Sequence, residues 1–242
     1  MENAGYIALS RQMTLRRQMD VVANNMANLN TPAFKGQSML FVEYLETSDS
    51  GEKMSFVQDI ALVRDLNEGQ LMATENQLDV AIVGEGYFEI GTPVGPRYTR
   101  NGVFQLNADG ELVTKSGAQV LGDGGNPINL PPNSRDVTIT RDGTVSTDQG
   151  PAGRLRVVRF ENEQAMIKTS EGLYDARNQD PQPAEDAEVF QGMIEGSNVQ
   201  GIFELTKMIE TVRSYSSTGK MVNDEHERQR RAIQSLGAPA RS

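Results

Sequence analysis

The segment NNMANLNTPAFKG, residues 24–36, combines four asparagines with a proline. Asparagine is a mediocre helix former, and proline breaks helices because its ring fixes φ and removes the backbone N–H donor. The residues before this stretch nevertheless have a helical pattern with one apolar face. We therefore predict a helix over residues 3–29 that ends near Asn30, since Pro32 favours extended geometry at Thr31.

The apolar positions of this predicted helix follow alternating spacings of four and three residues. Such spacing is typical of a coiled-coil seam, in which one helix packs against a second helix. The seam weakens towards the start of the chain, where Gln12, Ala8 and Gly5 occupy the same positions. The predicted seam residues are Leu15, Met19, Val22, Met26 and Leu29.

The other end of the chain predicts a second long helix. Ser197 and Gln200 stand at capping-box spacing before it, and Gly237 followed by Pro239 is typical of a helix end. Its seam begins with apolar residues and continues with small and polar ones, which permit close or polar contact. The apolar part is Ile202, Leu205, Ile209 and Val212, and the continuation includes Ser216 and Gly219.

Between the predicted helices the sequence alternates as β-strands do. Asp109-Gly110 and Asp142-Gly143 each separate two alternating segments, and Asp-Gly is a favoured hairpin turn. Two apolar strands about Gly84-Glu85-Gly86 predict a further hairpin, and residues 153–160 predict a single strand. Residues 176–188 are acidic and contain prolines, which is typical of a linker.

We predict an α+β fold in which long N- and C-terminal helices pack together as a coiled-coil-like module around an inserted all-β domain. The predicted division of the chain has four parts. They are a terminal helical module (1–35 plus 195–242), a connecting segment of extended or β-hairpin character (36–76), a β-rich domain (77–175) and an acidic linker (176–194).

Composition excludes several classes of function. The absence of cysteine excludes disulfides and thiol chemistry, and it removes a common zinc ligand. The net charge of −10 argues against a nucleic-acid partner held through its phosphates. No apolar run approaches the ~18 residues of a membrane span, and the N-terminus has no apolar signal-peptide core. We therefore expect neither direct membrane insertion nor a cleavable Sec signal peptide.

No catalytic constellation is recognisable in the sequence. Gly84-Glu85-Gly86 resembles part of a dinucleotide-binding loop, but that loop requires a following helix, and residues 87–90 have a strand pattern. His226 is the single histidine, and it supports neither a zinc site nor serine-based catalysis. We expect no enzyme activity, no cofactor and no metal.

Four long motifs resemble, in the same order, those of the bacterial flagellar rod, hook and hook-filament axial proteins. They are MDVVANNMANLNTPAFKG (19–36), NQLDVAIVGEGYFEI (76–90), RYTRNGVFQLNADGELVTKSGAQVLG (97–122) and EGSNVQGIFELTKMIETVRSYSS (195–217). The first and last residues of the chain are most similar to those of proximal-rod members. The chain departs from the family pattern at Ala33, where glycine is common, and at Glu75 and Gln77, which replace a frequent glycine and proline.

The resemblance implies a structural subunit of the flagellar basal-body rod, in its proximal part. Such subunits polymerise into the drive shaft that transmits torque from motor to hook and surrounds the export channel. The terminal helices would form the inner tube and the β domain would pack outside it. The implied partners are further copies, neighbouring proximal- and distal-rod proteins and, during secretion, the flagellar type III export apparatus. The implied location is the periplasmic rod.

Two alternatives remain open at this point. The chain could be a distal-rod or early hook subunit, which would keep it within the same family. It could instead be an envelope β-domain that binds glycan or peptide, which would require a concave site with converging polar and aromatic groups.

We hypothesise that the seam residues and the asparagines of the opening stretch pack between subunits. Asparagine amides both donate and accept hydrogen bonds, so they can fix the register of neighbouring helices. The alternative is that the asparagines are exposed and cap their own helix. The predicted subunit-packing residues are Leu15, Met19, Val22, Asn24, Asn25, Met26, Asn28, Leu29, Asn30, Ile202, Leu205, Ile209, Val212, Ser216 and Gly219.

Overall fold

The computed structural model of the protein describes residues 2–47, 53–132, 134 and 136–237. These residues form two α-helices, α1 (Glu2–Ala27) and α2 (Gly201–Gly237), with eighteen strands between them. Two short 3-10 helices lie at Glu163–Ala165 and Ser170–Gly172. Neither α-helix has an apolar stretch long enough to cross a membrane.

The strands are mostly short. The first nine are β1 (Gln37–Thr47), β2 (Lys53–Arg64), β3 (Leu71–Ala73), β4 (Val80–Val83), β5 (Tyr87–Thr92), β6 (Gly95–Thr99), β7 (Phe104–Leu106), β8 (Leu112–Thr114) and β9 (Gln119–Val120). The others are β10 (Val137–Ile139), β11 (Thr144–Thr147), β12 (Gly150–Arg154), β13 (Val157–Arg159), β14 (Ile167–Lys168), β15 (Tyr174–Asp175), β16 (Gln182–Pro183), β17 (Glu188–Gln191) and β18 (Met193–Glu195).

The strands pair in five groups, and every pair is antiparallel. β1 and β2 form a long two-stranded ladder, and β10, β11 and β12 form a three-stranded sheet. The largest sheet runs β14-β15-β6-β5-β9-β8-β7, and β13 branches from it because it pairs with both β5 and β16. β17 pairs with β4 and β18 pairs with β3, so the last strands return to the first strands of this region.

The chain divides into two compact units. The first, called the helical unit here, consists of Met1–Ala27, Gln37–Asp65 and Val199–Ser242, and its described part contains α1, α2 and the β1–β2 ladder. The second, called the β body, consists of Asn28–Gly36 and Leu66–Asn198.

The β body has an apolar core built from alternate residues of its central strands. Val80, Ile82, Phe88 and Ile90 of β4 and β5 are at most 1% exposed. A second, aromatic cluster lies beside β5, β6 and β15, where the rings of Tyr98 and Phe160 stand 4.6 Å apart, edge to face. Edge-to-face pairs stabilise beyond the apolar area that they bury.

The predicted helix ends are confirmed. α1 stops at Ala27, and the backbone then turns through hydrogen bonds from Thr31 N–H to Asn28 O (3.2 Å) and from Phe34 N–H to Thr31 O (3.2 Å). α2 ends at Gly237, as predicted, and Pro239 lies outside the described residues.

The two Asp-Gly hairpins are also confirmed. Asp109-Gly110 stands between β7 and β8, and Asp142-Gly143 stands between β10 and β11, and each pair of strands is antiparallel. Gly110 has a φ of 83° and Gly143 a φ of 84°. This left-handed backbone costs glycine little, because glycine has no Cβ to clash with the neighbouring carbonyl.

The hairpin predicted at Gly84-Glu85-Gly86 is wrong. Strands β4 and β5 are present, but β4 pairs with β17, whereas β5 pairs with β6, β9 and β13. The buried guanidinium of Arg100 donates to the carbonyls of Ile82 (3.1 Å), Gly84 (2.9 Å) and Gly86 (3.1 Å), which would otherwise need backbone partners. The single strand predicted over residues 153–160 is also wrong, because β12 ends at Arg154 and β13 begins at Val157.

The fold is α+β, as predicted, but the predicted coiled-coil-like module of two long packed helices is wrong. The described chain has two helices and a large β-rich body. The apolar seam predicted for α2 is not the face that α2 buries. α2 instead buries polar residues at seven-residue spacing, namely Glu204, Thr211 and Thr218. The prediction failed because it assumed that the most apolar stripe of a helix is covered by its own chain.

Candidate subunit-packing surface

An exposed apolar stripe lies on the first half of α2. Its residues recur at the three- and four-residue intervals that place side chains on one helix face. The exposed fractions are 82% for Ile202, 50% for Leu205, 44% for Ile209 and 44% for Val212. Contiguous apolar surface of this kind marks sites of protein–protein contact. The neighbouring Phe203 is also exposed and widens the stripe, although the heptad pattern did not select it.

The predicted packing residues near α1 are placed differently. Val22 is buried, and the other apolar members are half-buried, so they already contact their own chain. These half-buried residues are Leu15, Met19, Met26 and Leu29. The strongly exposed apolar residues of α1 lie nearer its start, at Tyr6, Leu9 and Met13, where the seam pattern did not point.

Asn25 is a clip within the chain. It is 3% exposed, and its Nδ2 donates to Gln37 O (2.8 Å) and to Glu204 Oε2 (3.1 Å). Its Oδ1 accepts the N–H of Gln37 at 2.9 Å. One amide therefore joins the last turn of α1 to the first residue of β1 and to the first turn of α2. Glu204 is held in turn by Lys207, whose Nζ lies 2.7 Å from Glu204 Oε1.

The other asparagines of the opening stretch are more accessible. Asn28 is half-buried, and its Oδ1 accepts the hydroxyl hydrogen of Thr31 at 3.1 Å. Asn24 and Asn30 are exposed. On α2, Ser216 is exposed and Gly219 is half-buried beside the Gln12 amide. The predicted apolar residues of α1 are therefore at least half-buried, whereas those of α2 are exposed.

A buried ionic cluster in the β body was missed by the sequence analysis. Glu195 Oε1 lies 2.6 Å from Lys35 Nζ, and Glu195 Oε2 lies 2.7 Å from Arg100 Nε. The N–H of Gly69 donates to Glu195 Oε1 at 2.9 Å, and Lys35 Nζ also donates to Asn67 O at 2.8 Å. The signal that pointed to these three charges was their place in the family-like motifs, because Lys35 is the penultimate residue of the first motif, Arg100 lies in the third and Glu195 opens the last.

The cluster sets the charge states of its members. Burial alone would raise the pKa of Glu195, but the charges of Arg100 and Lys35 and the Gly69 N–H outweigh it, so that the pKa lies below its usual value. Burial lowers the pKa of Lys35, and the positive charge of Arg100 lowers it further. The negative charge of Glu195 raises this pKa but does not outweigh the other two effects. Burial lowers the pKa of Arg100, but the negative charge of Glu195 outweighs burial, so the pKa lies above its usual value. Glu195 is thus the shared anion of two cations.

Among the described residues, no group of three or more histidine, aspartate or glutamate side chains is arranged to hold a metal ion. His226 is exposed on α2.

Family models match three segments of the chain. Residues 6–35 match the flagella basal body rod protein family, residues 81–147 match the flagellar hook protein FlgE/F/G D1 domain, and residues 191–235 match the flagellar basal body rod FlgEFG protein C-terminal family.

Several curated proteins are similar along most of their length. The flagellar basal-body rod protein FlgF of Caulobacter vibrioides is 42% identical, covering 98% of this chain and 99% of that protein. FlgF of Rhizobium meliloti is 31% identical with the same coverage. The flagellar basal-body rod protein FlgG of Bacillus subtilis is 30% identical, covering 92% of this chain and 94% of that protein.

Proposed function

The chain belongs to the flagellar basal-body rod protein family, as a FlgF-like member, and we propose that it polymerises with neighbouring rod proteins in the proximal part of the rod. It is a structural rod subunit and not an enzyme, as its relatives are. Its location is the flagellar basal body.

The observation that carries the proposed packing is the open apolar stripe of α2. Ile202 is 82% exposed, which is costly for a large aliphatic side chain unless a partner covers it in the assembled state. The stripe contains four of the predicted subunit-packing residues, and the continuation at Ser216 and Gly219 permits close approach of another helix. The predicted residues near α1 contribute chiefly by holding that helix in place, and Asn24 and Asn30 supply exposed amides beside it.

The wider arrangement is part of the same proposal. The terminal helical segments, residues 1–35 and 195–242, would form the inner layer of the tube around the export channel. Residues 77–175 would form its outer layer, with residues 36–76 and 176–194 as connections. Such a shaft would transmit torque from motor to hook. The absence of cysteine suits passage through the flagellar type III export apparatus, without a cleavable Sec signal peptide, to the periplasmic rod.

The substitution Ile209→Asp tests the packing proposal. A carboxylate placed in an apolar contact costs several kcal/mol unless it is neutralised, so we expect loss of motility. The purified variant should keep its circular dichroism spectrum, because Ile209 is exposed in the free chain. Asn223→Asp, at an exposed polar position of α2, is the matched control and should leave cells motile. Motile Ile209→Asp cells with normal rods would contradict the proposal.

A distal-rod position is the second candidate, because FlgG proteins are also similar to this chain. FlgG of Buchnera aphidicola subsp. Schizaphis graminum is 33% identical over 85% of the chain. Mapping a tagged copy in purified basal bodies distinguishes the two. Tag density near the membrane-embedded ring supports the proximal position, whereas density next to the hook supports the distal position.

A further inference from the structure

A groove lies on the surface of the β body. It has a volume of about 640 Å³, and its walls come from the turn after α1, the β8–β9 turn and the β14–β15 edge. The lining includes the hydroxyl groups of Thr31, Thr99, Ser116 and Thr169. Each of these four hydroxyl groups makes a hydrogen bond within its own chain.

Two lysines and one carboxylate, that of Glu171, line this groove, so its charged side chains carry a net charge of +1. Lys115 and Lys168 both line it, both are exposed, and they are the only lysines between residues 66 and 198. Lys168 Nζ stands 4.2 Å from the centre of the buried Phe34 ring. This cation–π contact holds one charge at the mouth of the groove. In a chain with a net charge of −10, the groove is a local surface of slightly positive charge.

A complementary acidic surface lies elsewhere on the same body. Glu85, Glu185 and Asp186 surround a shallow depression there, with Arg159 as its one lining cation. All three carboxylates belong to exposed residues. Pro183 in β16 fixes the backbone before Glu185, so the acidic loop is presented in a restricted conformation.

The buried Arg100 contacts or adjoins the backbone beside each of the two surfaces. Its sequence neighbours Thr99 and Asn101 line the groove, whereas its guanidinium binds the carbonyls of Gly84 and Gly86, on either side of Glu85. The groove includes the outer strand β14, and the acidic loop follows the outer strand β16, at the two ends of the ladder β14-β15-β6-β5-β13-β16. The surfaces share no residue, so a single chain does not bring them together.

We propose that the lysine groove of one copy receives the acidic loop around Glu185 and Asp186 of a second copy. This inference rests on the proposed rod function, since a rod needs contacts between unlike faces of identical subunits. Such head-to-tail contacts generate rings or helical filaments, whereas contacts between like faces close into pairs. Charge complementarity also favours the correct partner face and disfavours groove against groove.

Disulfide trapping tests the contact, because the natural chain has no cysteine and therefore no background. The double variant Lys115→Cys/Asp186→Cys is expressed in cells that lack the natural gene, and basal bodies are purified and oxidised. Each copy then carries both halves of the contact, so we expect a ladder of cross-linked oligomers on a non-reducing gel. Each single-cysteine variant should lose the ladder and give no dimer.

The matched control is Val94→Cys/Asp186→Cys, with Val94 75% exposed in the β5–β6 turn and outside the groove lining. It should give no ladder. An equal ladder from this control, or dimers from a single-cysteine variant, would overturn the inference. Basal bodies that contain the double variant without a ladder would overturn it and leave the rod function standing. Absence of the natural chain from basal bodies would instead overturn the rod function, and the inference with it.

Discussion

Lys35 Nζ lies 2.6 Å from Glu195 Oε1, although 160 positions separate the two residues along the chain. Both side chains are buried, and the second oxygen of the same carboxylate is bound by Arg100. A backbone hydrogen bond joins the same two segments, since Ala33 N–H donates to Glu195 O at 2.8 Å. The segment that follows α1 is thus fastened to the last strand of the β body by charge and by backbone together.

Replacing the shared anion should destabilise the β body strongly. Glu195→Gln removes the buried carboxylate that Lys35 and Arg100 share and leaves Arg100 only the half-exposed Glu68 at 3.4 Å. Removing one partner of a buried ion pair typically costs about 3–5 kcal/mol. The free energy of unfolding is measured by chemical denaturation with circular dichroism. Glu188→Gln is the control, because its exposed pair with Arg141 at 3.7 Å should contribute at most about 1 kcal/mol.

The same carboxylate predicts a pH dependence. Because the pKa of Glu195 is lower in the folded chain, its stabilising contribution is complete above the unfolded pKa of about 4.3 and is lost as the pH falls through the folded pKa. The gap in unfolding free energy between the natural chain and Glu195→Gln should therefore narrow below about pH 4. A gap that stays constant from neutral pH into strong acid would contradict this assignment.

Gly69 should tolerate no side chain. A Cβ at this position would stand 1.9 Å from Gly196 O, which is backbone and cannot move aside. Gly69→Ala should lower the free energy of unfolding by at least the ~1–3 kcal/mol typical of overpacking. Gly124→Ala is the control, since its Cβ would approach only the Asn126 side chain, at 3.5 Å. Equal thermal midpoints for the two variants would refute the close approach.

Loss of the Asn25 clip should loosen the start of β1. Asn25→Ala removes both hydrogen bonds to Gln37 and the one to Glu204, and leaving buried polar groups unpaired costs about 1–3 kcal/mol. We expect faster hydrogen exchange at the Gln37 amide and reduced motility. Asn223→Ala, at an exposed polar position of α2, should change neither measurement.

The helices should be less protected than the β body before assembly. α2 exposes its apolar stripe and buries polar groups such as Thr211, so little apolar burial offsets the entropy of ordering it. Hydrogen exchange on the monomeric chain should show weak protection at 201–237 and strong protection in β4 and β5. Equal protection of both regions would show that the helices are preformed, and that premature assembly is restrained by another means.

Features that depend on neighbouring residues could be predicted from the sequence. The turn after α1 follows from Pro32, and the two Asp-Gly hairpins follow from glycine at positions with positive φ. The α+β class follows from the change of hydrophobic period between the ends and the middle. The family follows from four long motifs in order.

Features that depend on distant residues could not be predicted. β4 and β5 were expected to pair because they are adjacent and apolar. Instead, the guanidinium of Arg100 donates hydrogen bonds to the carbonyls of Gly84 and Gly86, which lie between the two strands. The buried face of α2 was not predicted, because Glu204 on that face is bound by Asn25, which lies 179 positions away in the sequence. Asn25 was predicted to pack between subunits because of its residue type. Its hydrogen bonds with Gln37 give it a structural role within its own chain. Whether the predicted set packs between subunits stays a proposal.

The pairing of β17 with β4 and of β18 with β3 has a consequence for the timing of folding. Val83 pairs with Glu188, and Leu71 pairs with Glu195, so the sheets of the β body are incomplete until residue 195 is available. A chain that emerges from the ribosome with its N-terminus first must therefore wait, since contacts between distant residues form only after both have appeared. The strand order therefore delays folding, because β3 and β4 have no complete set of partners until β17 and β18 have been made.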